Sequence, residues 1–187
     1  MAPFEYMLGF AVVILGLSVT ELAMGLNRLL RTGKVRWDWL APFAALLVFL
    51  KIVAQWWSWH AAVRFAPGMT FEMYLAVLAS ATLLFLLAAT PLPEVREGGT
   101  DLRAYYAGAA RRFWILFALH SASAIVTVLW VQLAAAGEHA QFQFSIILLL
   151  PLIALGFAFA RPRWAQALGL ALFTALYIGQ YFGRTLF

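Results

Sequence analysis

With 187 residues, 65% of them hydrophobic and 11% charged, the chain has far fewer charges than the quarter or so typical of a soluble domain. That excludes a soluble globular protein and points to an integral membrane protein, with no length left over for a separate soluble domain. The net charge of +5 fits basic loops beside anionic lipid and not nucleic acid, and the absence of cysteine excludes disulfides, thiol catalysis and thiolate-bound metal.

Apolar runs long enough to cross a bilayer recur six times and do not alternate in polarity, so they are read as helices. The segment MAPFEYMLGF has no basic stretch and carries Glu5, so it is expected to open the first span and not to be a cleaved signal. Span one runs from about Phe4 to Leu30 and closes on Arg28 and Arg31. Ser18, Glu21 and Gly25 share one of its faces, and Gly9, Gly16 and Gly25 allow close helix approach.

Span two, Trp37 to Val63, holds the most informative residue. Lys51 lies about midway along it, where a lysine costs roughly 2.5 to 3.5 kcal/mol on insertion scales. Lys51, Gln55 and Ser58 follow an i, i+4, i+7 spacing and lie on one face, expected to point into the bundle. Trp56, Trp57 and Trp59 form an aromatic rim toward the outer surface.

Span three runs from Phe71 to Thr90 and is stopped by Pro91 and Pro93. The connection from Pro91 to Arg112 is punctuated by Pro and Gly in its first half. Thr100 there can cap a short interfacial helix beginning at Asp101 and running into span four. Span four, Phe113 to Ala136, places His120, Ser123 and Thr127 on one face. Span five is Phe142 to Ala160. Span six is Trp164 to about Phe182, with Gly169, Ala171, Ala175 and Gly179 as small residues.

Orientation follows the basic residues. Ten of them, among them Arg28, Arg31, Arg103, Arg111, Arg161 and Arg163, fall on one side, against Arg64 and Arg184 on the other. The basic loops are therefore expected in the cytoplasm and both termini outside. Similar openings at Phe4-Glu5-Tyr6, Phe71-Glu72-Met73 and Phe142-Gln143-Phe144, with tryptophans opening the returning spans, suggest three tandem helical hairpins. In general form the chain resembles small six-helix proteins of bacterial inner membranes, a resemblance that carries no activity with it.

Glu21, Lys51 and His120 are expected at similar depth, with Thr82 and Thr174 at compatible levels, so the polar faces converge on one layer. Two readings of the layer stand side by side. Glu21 and Lys51 can form a buried pair that fixes helix register. Alternatively the layer lines or gates a path, with Glu21, Lys51, Gln55, Ser58, His120, Ser123 and Thr127 as its residues. Glu5, His60, Glu72 and Gln180, with Arg64, His139, Gln143 and Arg184, form a second polar layer at the outer interface, an outer vestibule in the functional reading. His60, Glu72 and His139 lack any metal-binding spacing, so no metal or other cofactor is expected.

GxSxG, HExxH and nucleotide-binding loops are absent, so nothing points to an enzyme. The expected function is a small membrane transport protein, an ion or proton channel or a small-solute carrier, with the lipid bilayer, further copies of the chain and a small ion or solute as partners. A non-enzymatic accessory or scaffold subunit is the alternative, and a membrane-embedded sensor or enzyme the third.

Overall fold

The computed structural model describes residues 3–63, 70–94, 99–136 and 149–181. They form six helices and two very short strands. In chain order these are α1 (Pro3–Arg31), β1 (Val35–Arg36), α2 (Leu40–Val63), α3 (Phe71–Ala88), β2 (Thr100–Asp101), α4 (Leu102–Ala136), α5 (Leu150–Phe159) and α6 (Arg163–Tyr181). Three helical stretches among the described residues, Gly9–Arg31, Leu40–Trp59 and Phe71–Ala88, are long and apolar enough to cross a membrane, and they suggest a membrane location.

Each helix begins and ends for local reasons. α1 stops where Thr32 turns its hydroxyl onto the Arg28 carbonyl at 2.8 Å, with Arg28 and Arg31 complementing the negative end of the helix dipole. Asp38 caps the start of α2 by accepting the Leu40 N–H at 3.0 Å. Thr70 caps α3 by accepting from the Met73 N–H, and Pro91 and Pro93 lie just past its end. Asp101 caps α4, its Oδ1 accepting the N–H groups of Arg103 at 2.9 Å and Ala104 at 3.0 Å.

The connection between α3 and α4 departs from expectation at the cap and in a strand pairing. The helix expected from Asp101 onward, running into span four, is seen as the first turns of a continuous 35-residue helix. From Leu102 to Ala136 the chain contains no proline, and Gly108 alone does not break it. The cap is Asp101 and not Thr100, which sits in β2. There β1 and β2 pair in parallel, Val35 beside Thr100 and Arg36 beside Asp101. Gly99 makes this possible with φ +97°, and a Cβ there would sit 3.0 Å from the Lys34 carbonyl oxygen.

α2 runs through the centre and touches α1, α3, α4 and α6. The most extensive packing of α1 is on α3, that of α3 is on α4 and that of α5 is on α4, so packing runs both within and across the sequential hairpins that the spacing suggested. The core face of α1 carries Ala11, Leu15, Ser18, Leu22 and Leu29, a helical stripe, while Phe10, Val13 and Leu17 point outward. Outward apolar side chains recur on α5 and α6 at Leu152, Phe159, Leu168 and Leu172, as a lipid-facing surface requires.

An aromatic cluster closes the packing of α4, α5 and α6. Trp114 contacts Phe113, Phe117, Phe157 and Phe173 with ring centroids 5.2 to 5.7 Å away. Gly169 lets these rings pass, since a Cβ there would lie 2.9 Å from the Trp114 ring and 3.0 Å from the Phe157 ring. Beneath the indole, Gln166 accepts from the Trp114 N–H and donates to the carbonyls of Phe157 and Ala160 at the end of α5. At the same end of the bundle, the Arg163 guanidinium is paired with the Asp38 carboxylate, tying the start of α6 to the start of α2.

Candidate functional site

Lys51 is buried, 3% exposed, where α2 meets α4 and α6. Its Nζ donates to Ser121 Oγ at 2.9 Å and to the Tyr177 hydroxyl at 2.8 Å. It also lies over the Phe117 ring, 4.2 Å from the centroid, and 5.4 Å from that of Tyr177. Ser121 is held in turn by its own hydrogen bond to the Phe117 carbonyl at 2.8 Å. An ammonium has three donors, and here two meet hydroxyl oxygens while the charge rests against an aromatic face. No carboxylate lies within ion-pair distance among the described residues.

The expected Glu21–Lys51 contact is therefore not made. Glu21 takes Arg28 as its partner at 3.1 Å, two turns along the same helix, and both side chains are about a third exposed. A glutamate with an arginine already within reach on its own helix has no reason to cross the bundle. Glu21 stands apart from the layer that Lys51 occupies.

His120 is the second buried polar group, 1% exposed and within electrostatic reach of Lys51. Neither ring nitrogen has a hydrogen-bond partner among the described residues. A neutral imidazole carries one donor and one acceptor, so two hydrogen-bonding positions stand open next to a buried amine. Thr174 Oγ1, buried on α6, is likewise without a partner.

The remaining residues of the expected layer divide. Ser123 donates to the His120 carbonyl at 2.8 Å and lies 3.2 Å from Ser80 Oγ on α3, a second polar seam. Thr127 bonds to the Ser123 carbonyl at 2.9 Å, and Ser58 to that of Ala54 at 2.8 Å. Gln55 is half-buried. Thr82 faces outward and bonds to its own helix, so Ser80 takes the place expected of it. In the outer layer, Glu72 and Gln180 are exposed. Glu5 and His60 lie in α1 and α2, but their side chains fall outside those described, as do residues Arg64, His139, Gln143 and Arg184.

Four residues that matter most around Lys51 and the aromatic cluster were not singled out by spacing: Ser121, Phe117, Tyr177 and Gln166. Ser121 is one position off the His120-Ser123-Thr127 stripe, on the flank that turns toward α2. Tyr177 follows Thr174 by three residues and so continues its face, which was the one available signal. Chemically, the arrangement joins a buried amine, two hydroxyls and an imidazole with open positions, a set suited to moving a proton or holding a small anion.

No protein-family model, no curated protein and no solved structure matches the chain.

Proposed function

We propose that this protein is a small membrane transport protein, an ion or proton channel or a small-solute carrier, whose working layer is centred on Lys51 and His120. One observation carries the reading: among the described residues, the Lys51 amine is held by hydroxyls and a ring with no counter-ion, beside an imidazole with both nitrogens unpartnered. An uncompensated ammonium in a low-dielectric layer is stabilised by recruiting an anion or by passing its proton to a neighbour. Protons and small anions are accordingly the favoured cargo. Lys51, His120, Ser121 and Tyr177 form the centre of the path, and Gln55, Ser58, Ser123 and Thr127 flank it. Glu21 belongs to the cytoplasmic rim.

The same reading takes the chain across the bilayer six times as three tandem hairpins, in a bacterial inner membrane, with both termini outward and further copies of the chain around it. The basic residues on one side support that orientation. The 35 residues of α4, about 50 Å at 1.5 Å each, exceed one crossing and leave turns for the interface.

The test is flux. Protein reconstituted in liposomes with an entrapped pH-sensitive or anion-sensitive dye is compared with Lys51→Met. Wild type conducts, and the variant loses about tenfold or more of the rate, the scale set by removing a central charge. Equal rates in the two proteins sink the proposal.

A specific observation also favours a second reading, an accessory or scaffold subunit. Lys51 links α2 to both α4 and α6 through its two hydroxyl bonds, as a structural tie does. Absence of flux from wild type, with a stoichiometric partner recovered from native membranes, decides for it.

A further inference from the structure

The neighbours of the Lys51 amine suit a cation and not an anion. Ser121 has spent its own proton on the Phe117 carbonyl, 2.8 Å away, so it shows Nζ an oxygen lone pair at 2.9 Å. The Tyr177 oxygen accepts a second N–H at 2.8 Å. The Phe117 ring lies 4.2 Å from Nζ, and the face of an aromatic ring is negative. Lone pairs and a ring face attract a cation and repel an anion. An anion drawn to this amine would also find two of its three N–H groups already taken.

A proton needs only an acceptor within reach, and His120 is placed to be one. It immediately precedes Ser121 on α4, is 1% exposed, and lies within electrostatic reach of Lys51. Neither ring nitrogen has a partner among the described residues, so a neutral imidazole there keeps one lone pair open. The third N–H of Lys51 has no bonded acceptor among the same residues. No ion pair among them gives either group a carboxylate. The polar groups that α6 and α3 bring to this stretch of α4 are neutral hydroxyls, Tyr177 on Lys51 and Ser80 on Ser123. Two positive charges this close in a low-dielectric layer repel strongly, so the pair carries one.

We propose that the cargo is the proton and that Lys51 and His120 hold it as a pair, one positive charge shared and passed between Nζ and an imidazole nitrogen. The amine gives up H+ and keeps the electron pair of the broken N–H bond. The ring nitrogen takes H+ on its lone pair, directly or through one water. The proposal rests on the transport reading and narrows it by removing small anions.

The full chain is reconstituted in vesicles of dioleoylphosphatidylcholine and dioleoylphosphatidylglycerol. Flux is driven by a potassium gradient with valinomycin. It is read with an entrapped pH-sensitive dye and, in parallel, with an entrapped chloride-sensitive dye. Wild type is expected to move protons and not chloride. Lys51→Arg keeps the positive charge and its donors, but a guanidinium does not release its proton. His120→Gln keeps a donor and an acceptor, but an amide takes up no proton at neutral pH. Each is expected to lower proton flux at least about tenfold, a modest part of what a positioned proton-transfer group contributes. Thermal midpoints in detergent check folding, and if Lys51→Arg does not fold, His120→Gln decides. Chloride flux in wild type, with or without protons, overturns the proposal and leaves the transport reading standing. So does proton flux at the wild-type rate in folded Lys51→Arg or folded His120→Gln. No flux of either kind from wild type removes both.

Discussion

Replacing Lys51 separates its charge from its packing. Methionine has a similar length and no charge, so Lys51→Met removes the desolvated ammonium and leaves Ser121 bonded to its own helix. Its unfolding midpoint in detergent is expected at or above that of wild type even as flux falls. Tyr177→Phe does the opposite, because it leaves a buried lysine N–H without one of its acceptors; a loss of about 1 to 3 kcal/mol is expected from chemical denaturation. Glu21→Gln, whose ion pair with Arg28 is part-exposed, is expected to conduct like wild type, a result that the layer first read from the sequence does not give. That layer was half legible. The depth of Lys51 and His120 follows from residue count alone. Their partners depend on how each helix is rotated and how far it slides past its neighbours, and no single sequence states either. A lysine stem also reaches to either side of its own stripe, which is why Ser121 was passed over in favour of Glu21.

At the scale of the element, caps and close approaches decide. Gly169 was legible as a small residue suited to tight packing, and the structure shows what it admits: the rings of Trp114 and Phe157. Gly169→Val forces buried rings to move and is expected to cost about 1 to 3 kcal/mol, measured as a shift in denaturation midpoint. The α4 cap carries a pH dependence. The Ala104 N–H, with that of Arg103 and the charges of Arg36 and Arg103, holds the Asp101 carboxyl below its ordinary range. A depressed carboxyl contributes stability above its unfolded pKa and loses it as pH falls through the folded one. Asp101→Asn keeps an oxygen for the cap but not the charge. It is expected to melt below wild type at neutral pH and to converge with it once acid has protonated the wild-type carboxyl. Sequence spacing placed this helix start within a residue and its run into span four, but gave the cap to Thr100, because Thr and Asp are both good capping residues. The pairing of β1 with β2 was not legible at all, since two residues carry no pattern.

For the molecule as a whole, an aqueous path has a simple consequence in a chain without cysteine. Single cysteines at Gln55 and Ser58 are expected to react with a membrane-impermeant thiol reagent, more slowly than one at the exposed Gln180. Labelling at Gln180 with none at the other two removes water from the Lys51 face and the transport reading with it.

The bonds of Lys51 also have an order in time. The lysine emerges from the ribosome long before its partners: Ser121 follows 70 positions later and Tyr177 126 positions later. Insertion of α2 therefore takes place while the amine has neither hydroxyl, carried by the apolar run on both sides of it. Only the arrival of α6 completes its coordination, so a chain cut before α6 is expected to hold the amine with one hydroxyl acceptor fewer than the full chain has.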